Sequence, residues 1–431
     1  MLTRLIYDFL FFIFSLFYLP LFILKGKSKG GLGSRLGHVE QAVVEKLKGK
    51  KVIWIHAVSV GEVALAIRVL SHWREIFSGV KFVLTTTTVT GYEVAAKSMN
   101  PQDVLLQFPV DFRFAVRRFV RAVHPDAVAF METEIWPNLI WELSEKKIPL
   151  FILNGRISDK AISKYRRIRF FLKPILNRLT AIGAQDERMQ DRFLELGAEP
   201  GKVQITGNLK FDWEPPQGES AEVLAVRQKL SQPGKFLCLG ASTHEGEEAV
   251  LMDTYLQLRE IFPHLTLFLA PRHLDRLTSI EGLAAAKGIR LKRVFSGAQN
   301  GYDEGGPEAW LLDRMGLLAY FYQAADAVFV GGSLVEVGGH NLVEPAYYAK
   351  PILFGPYMNN FFEMSRLFLN GKAAIGVKDA GDLKDRLVFL MQNQTQAREM
   401  GQRAQNLVSG HRGALIRNTQ IFCQSTGDIW K

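Results

Sequence analysis

An alternation sustained over most of the chain constrains its fold more than any other feature. Val52–Ala57, Phe82–Thr87, Val104–Phe108, Ala127–Met131, Leu150–Asn154, Ile182–Ala184 and Val203–Thr206 are short runs dense in Val, Ile, Leu, Phe and Ala. Segments with helical patterning lie between them, among them Val63–Ile76, Phe112–Val123 and Pro137–Lys146. A strand that is apolar on both faces needs cover on both. A helix after each strand supplies that cover in a doubly wound parallel sheet. Residues Phe211–Gly218, with Pro215 and Pro216, break the pattern. It then resumes with Phe236–Ala241, Leu265–Ala270, Ala327–Val330, Pro351–Phe354 and Ala374–Val377, and with helices such as Glu245–Ile261 and Leu383–Gln392. The expected fold class is α/β, with two doubly wound Rossmann-like domains facing a cleft.

The 431 residues are too many for one ordinary core. We expect an N-terminal membrane anchor over 1–30, a first domain over 31–208, a linker over 209–218, a second domain over 219–411 and a C-terminal helical tail over 412–431. The anchor is read from Leu5–Leu24, which is apolar apart from Asp8, Ser15 and its tyrosine hydroxyls. Lys25, Lys27, Lys29 and Arg35 follow it and Arg4 alone precedes it, so the rest of the chain is expected on the cytoplasmic side. Charge is uneven: residues 1–208 hold 30 Lys+Arg against 19 Asp+Glu, net +11, and residues 209–431 hold 23 against 24, net −1. The first half should therefore face something acidic. In Lys164–Arg178 the cations Lys164, Arg166, Arg167, Arg169, Lys173 and Arg178 alternate with Ile, Phe and Leu; this is either an ordinary solvated helix or a face for anionic lipid. Cys238 and Cys423 alone give no disulfide framework.

The stretch Ala327–Ala346 joins an apolar strand to a loop holding Gly331, Gly332, Gly338 and Gly339, then to His340, Asn341 and Glu344. A glycine-rich loop at a helix start suits an anion; a tight connection that binds nothing is the plainer alternative. Glu62 closes His56-Ala-Val-Ser-Val-Gly-Glu62, where Ser59-x-x-Glu62 reads as a helix capping box, and a capped carboxylate can also serve as a base. Ser242-x-x-Glu245 repeats that spacing. Glu132 and Glu134 follow another strand beside Trp136. Lys210 precedes the linker, where a cation can offset a phosphate or carboxylate, and Arg272 ends a strand of the second half. No Asp-x-Asp, His-Glu-x-x-His or paired cysteine motif points to a metal.

Two doubly wound domains of similar size suggest a GT-B type architecture, and the motifs make the resemblance specific. HAVSVGE (56–62), METEIWPN (131–138), GNLKFD (207–212), STHEGEE (242–248), APRH (270–273) and GGSLVEVGGHNLVEPA (331–346) occur in the order found in the 3-deoxy-D-manno-octulosonic acid (Kdo) transferases, which the chain resembles over nearly its whole length. The resemblance implies an inverting, metal-independent glycosyltransferase of the GT-B type without a cofactor. Its donor would be CMP-Kdo, bound by the second domain, and its acceptor a lipid A precursor (lipid IVA), bound by the first. It would work at the cytoplasmic face of the inner membrane of a Gram-negative-type bacterium, against an anionic membrane surface and with no nucleic acid partner. It places the general base on Glu62 and transition-state stabilisation on Glu132 and Lys210. CMP would meet Pro271, Arg272, Met315, Gly316, Leu317, Asn341, Leu342, Val343 and Glu344. The chain departs from the family at Leu317, where Met-Gly-Glu is expected, and near Arg35-Leu-Gly37, where an acidic residue is expected. Two other readings are a membrane-associated GT-B enzyme that uses a UDP-sugar and a non-catalytic protein that binds anionic lipid.

Overall fold

The computed structural model describes residues 2–24, 32–296, 307–427 and 429–430. The chain divides into two compact units, Met1–Asp212 with Arg412–Lys431, and Trp213–His411. The first unit is built on β1 (Val52–His56), β2 (Lys81–Thr86), β3 (Val104–Gln107), β4 (Ala127–Met131), β5 (Leu150–Gly155), β6 (Ala181–Ala184) and β7 (Val203–Ile205). All pair in parallel, in the order β3-β2-β1-β4-β5-β6-β7. From β1 the chain winds outward through β2 and β3, then returns to lay β4 on the other side of β1. That reversal is a topological switch point, where such sheets leave a crevice beyond their carboxyl ends. Ile53, Trp54, Ile55 and Phe130 are fully buried because helices cover both faces.

The second unit repeats the plan with β8 (Phe236–Thr243), β9 (Leu265–Pro271), β10 (Arg290–Arg293), β11 (Glu308–Leu311), β12 (Ala327–Val330), β13 (Ile352–Phe354) and β14 (Ile375–Gly376). Its order is β10-β11-β9-β8-β12-β13-β14, so its switch point lies between β8 and β12. Sequence patterning does not find β10 and β11. They lie at and beside the sheet edge, three of the four residues of β10 are cations and β11 opens on Glu308, which pairs with Arg290 at 2.8 Å and Lys292 at 2.6 Å across the ladder.

The C-terminal helix Ala414–Thr426 belongs to the first unit. Gly413 leaves its N-terminus without a side-chain cap of its own, and Asp212 fills that place. Its carboxylate accepts the Gly413 N–H at 2.6 Å and that of Leu415. Phe422 then packs on Trp73 and Phe151, with ring centroids 4.1 and 4.7 Å apart, and Trp73 Nε1 donates to Thr419 Oγ1 at 2.9 Å. The basic run Lys164–Arg178 folds as two short helices, Asp159–Arg167 and Arg169–Leu176, which bury Ile162, Leu172, Ile175 and Leu176. Arg166 is engaged by Glu195, and Phe170 between the cations is 79% exposed.

The expected N-terminal membrane-anchoring helix is corrected by the structure. Among the described residues no helix is long and apolar enough to cross a membrane. Residues Leu2–Leu24 are helical, and the polar side chains of the first turns are tied to the first unit. Arg4 Nη1 donates to Glu145 at 2.7 Å, Tyr7 Oη to Asp111 at 2.8 Å, and Asn138 Nδ2 to Asp8 at 2.6 Å. A charge such as Arg4 or Asp8 is costly in hydrocarbon and well placed here, where each meets a polar partner. Lys25, Lys27 and Lys29 lie outside the described residues.

Asp111 also organises this corner, because its carboxylate accepts the N–H groups of Asn138 and Leu139, both at 2.9 Å, at the start of the helix Pro137–Glu145. Asp111→Ala leaves those donors buried without an acceptor, so the unfolding free energy should fall by about 2–4 kcal/mol. Urea denaturation measures it, and an unchanged midpoint would show that this cap carries no stability.

Candidate active site

At the switch point of the first unit the capping box forms. Ser59 caps the helix Val60–Ile76, and Glu62 reaches back to it. The Glu62 carboxylate accepts from Val58 N–H at 2.9 Å, from Ser59 Oγ–H at 2.8 Å and from Ser59 N–H at 3.4 Å. One carboxylate is thereby held in a fixed orientation beyond β1. Burial raises its pKa, the donors at Val58 and Ser59 pull it back, and the charge of Glu132 pushes it up again. A carboxylate under such opposed influences suits proton abstraction near neutral pH. The Ser242-x-x-Glu245 spacing does not form a box. That helix begins at Glu247 after Gly246, and it is Glu247 that reaches back, to His244 N–H at 2.9 Å.

Glu132 follows β4 in a left-handed conformation, φ 56°, with its N–H bonded to Leu153 O at 2.9 Å. A non-glycine residue there stores backbone strain, which an active site commonly holds. Glu134 accepts from Trp136 Nε1–H at 2.9 Å, and burial together with the charge of Glu62 lifts its carboxyl to about 8. The raised pKa favours its neutral form and so limits like-charge repulsion with Glu62. Lys210 sits in the short turn Leu209–Asp212, whose first N–H is held by Asn154 Oδ1 at 2.9 Å. Burial lowers the pKa of Lys210 and Glu132 and Glu62 raise it, while Arg156 lowers it. Glu62, Glu132, Glu134, Lys210 and Arg156 thus share one electrostatic neighbourhood at the ends of β1, β4 and β5. Sequence spacing brought forward all but Arg156, which follows β5 with no motif to mark it.

In the second unit, a cavity of about 280 Å³ opens at the ends of β8 and β12. Arg272, Asn341 and Glu344 line it together with Ser242, Tyr322 and His340. Pro271 ends β9 beside it. Leu342 and Val343 turn their side chains into the core, leaving only backbone to a ligand. Met315, Gly316 and Leu317 do not line this cavity, and Met315 is 57% exposed ahead of the helix Leu318–Phe321. Among the described residues no group of three or more His, Cys, Asp or Glu is placed to hold a metal ion.

The glycine loop does something the sequence does not disclose. Glu247, fully buried, accepts the N–H groups of Gly332 at 2.7 Å and of Ser333 and Leu334, both at 2.9 Å. The loop amides therefore hold a carboxylate from the chain itself. Gly331 is needed for close approach, since a Cβ there would lie 2.4 Å from Ser242 O. Beside the loop, His244 and His340 stack at 5.2 Å with their Nε2 atoms 2.9 Å apart. Sequence reasoning treats these histidines as scattered, because they meet across 96 residues.

Comparison with known proteins bears on the family and the fold. The sequence profile of the family described as "3-Deoxy-D-manno-octulosonic-acid transferase (kdotransferase)" matches residues 30–213. A 3-deoxy-D-manno-octulosonic acid transferase of Haemophilus influenzae is 31% identical over 85% of this chain and 85% of that protein. A bifunctional glycosyltransferase/methyltransferase of Fusobacterium nucleatum is 33% identical over 77% of this chain, which spans about half, 51%, of that longer protein. In fold, the chain is similar to a UDP-GlcNAc 2-epimerase of Neisseria meningitidis solved with UDP-GlcNAc bound, with TM-score 0.57 and 11% identity over 87% of this chain and 100% of that one.

Proposed function

Because the chain belongs to the 3-deoxy-D-manno-octulosonic acid (Kdo) transferases, we propose that it moves Kdo from CMP-Kdo to a lipid A precursor, lipid IVA, at the cytoplasmic face of the inner membrane. The observation that carries this reading is Glu62, fixed by its capping box within the electrostatic neighbourhood of Glu132 and Lys210. Glu62 takes the proton of an acceptor sugar hydroxyl, whose oxygen attacks the anomeric carbon of Kdo. The bond from that carbon to the CMP phosphate breaks, its electron pair leaves on the phosphate oxygen, and the configuration inverts. Lys210 offsets negative charge on the Kdo carboxylate or the leaving phosphate, and Glu132 holds Lys210 protonated against the pull of burial.

The first unit takes the acceptor, whose phosphates suit the half of the chain with net charge +11, and its exposed Phe114 and Phe170 suit an acylated substrate at an anionic surface. The second unit takes CMP, with Arg272 and Asn341 at the phosphate and Glu344 on hydroxyls.

Incubation of the purified protein with CMP-Kdo and lipid IVA should give a product heavier by one or more Kdo residues on mass spectrometry. Transfer from a UDP-sugar and none from CMP-Kdo would overturn the donor assignment. The rate should rise with pH as Glu62 ionises, since only the carboxylate is a base and its pKa is raised. It should fall on the alkaline side as Lys210, whose pKa is lowered, loses its charge. A flat profile from pH 5 to 10 would remove both residues from the mechanism.

A further inference from the structure

We propose that His340, oriented by His244, donates a hydrogen bond to the phosphate of the donor nucleotide and to the charge that grows on it as the sugar leaves. This rests on the second unit being the nucleotide-holding half and adds to it a specific phosphate contact. His340 lines the 280 Å³ cavity beside Arg272, Ser242 and Asn341. Its Cδ2–Nε2 edge lies against Gly332 and His244, neither of which lines that cavity. A Cβ on Gly332 would lie 3.2 Å from His340 Cδ2 and 3.3 Å from Nε2. The Nε2 atoms of His340 and His244 are 2.9 Å apart, so one carries the proton and the other accepts it. The remaining polar atom of His340 is Nδ1, on the opposite ring edge.

The surroundings favour the neutral form of both rings. Burial, His244, Arg272 and His273 push His340 down to about 4. Burial, His273, Arg272 and Arg276 lower His244 against the pull of Glu248. A neutral pair has two arrangements. In one, His340 donates through Nε2 and its Nδ1 is a bare nitrogen, which repels an anion. In the other, His244 donates, and His340 carries its proton on Nδ1 in a cavity that Arg272 also lines. A phosphate oxygen selects the second, so His244 is a positioning residue that sets the tautomer. The phosphate is a singly charged diester in the donor and a more highly charged monoester once the bond to the sugar has broken. A fixed donor therefore binds it more strongly late in the reaction than early, which accelerates departure without any proton leaving His340.

The test is titration of the full-length protein with CMP and with cytidine, which lacks the phosphate. The wild type should bind CMP more tightly than cytidine. His340→Ala should weaken CMP about 10- to 100-fold and leave cytidine within about twofold. His340→Asn, whose amide N–H stands near the place of Nδ1–H, should recover most of the loss. His244→Phe should weaken CMP while sparing cytidine, and CMP should move the ¹⁵N signal of His340 Nδ1 to its protonated position in the wild type. Equal loss of both ligands in His340→Ala, or unchanged CMP affinity, would overturn the proposal while the CMP site stood. A wild type that binds neither ligand would instead remove the nucleotide reading on which it rests.

Discussion

Glu62→Gln should leave the fold intact and lower turnover by about 10²- to 10⁴-fold, the range for loss of a positioned general base. The substitution is nearly isosteric. The amide oxygen can still accept from Val58 N–H, which the carboxylate holds at 2.9 Å, so much of the cap survives. The amide nitrogen cannot accept the substrate proton. Measuring kcat beside the melting temperature separates the two roles of this residue. A variant that melts with the wild type and turns over within about tenfold of it would show that Glu62 is a helix cap and nothing more. The rising limb of the pH profile should vanish in the same variant, because the group whose raised pKa sets it is gone.

Glu247→Ala should be among the most destabilising single changes in the second unit. The carboxylate accepts four backbone N–H groups, those of His244, Gly332, Ser333 and Leu334, in a fully buried position. Stranding them at about 1–3 kcal/mol each, with partial relaxation, predicts a loss of about 3–6 kcal/mol. The damage falls on the loop that carries β12 into the cavity, so CMP binding should fail along with stability. Urea unfolding of the variant, with CMP titration below its midpoint, measures both. Retention of wild-type stability would mean that the loop holds its shape without its internal anion. Glu247→Gln separates charge from contact, since its amide oxygen keeps part of the set while its N–H₂ faces donors.

The alternation of buried runs made both sheets legible in the sequence, with strand boundaries such as those of Ala127–Met131 and Ala327–Val330 read to the residue. Runs apolar on both faces can be read because nothing in them depends on a distant partner. β10 and β11 were missed for the opposite reason, as Arg290 and Lys292 look solvated until Glu308 is placed across the ladder. The same distinction governs the site. Glu62 and Ser59 are three residues apart and declare themselves as a box. Glu247 with its loop, and His244 with His340, lie 85 to 96 residues apart and have no local signature. The N-terminal apolar run misled through composition: Arg4, Tyr7 and Asp8 count for little in a hydropathy sum and decide where the helix docks.

Asp212 and the helix it caps have a consequence for biosynthesis. The first unit is written in two pieces, with residues 213–411 inserted between them. A ribosome that has released everything up to Asp212 has made a sheet whose cover over Trp73 and Phe151 has yet to be synthesised. The inserted unit is complete and free to fold before the last piece emerges. The first unit is begun before the inserted unit and completed after it. Truncation ahead of Ala414, which removes Phe422 and the rest of this helix, should therefore harm the first unit and spare the inserted one.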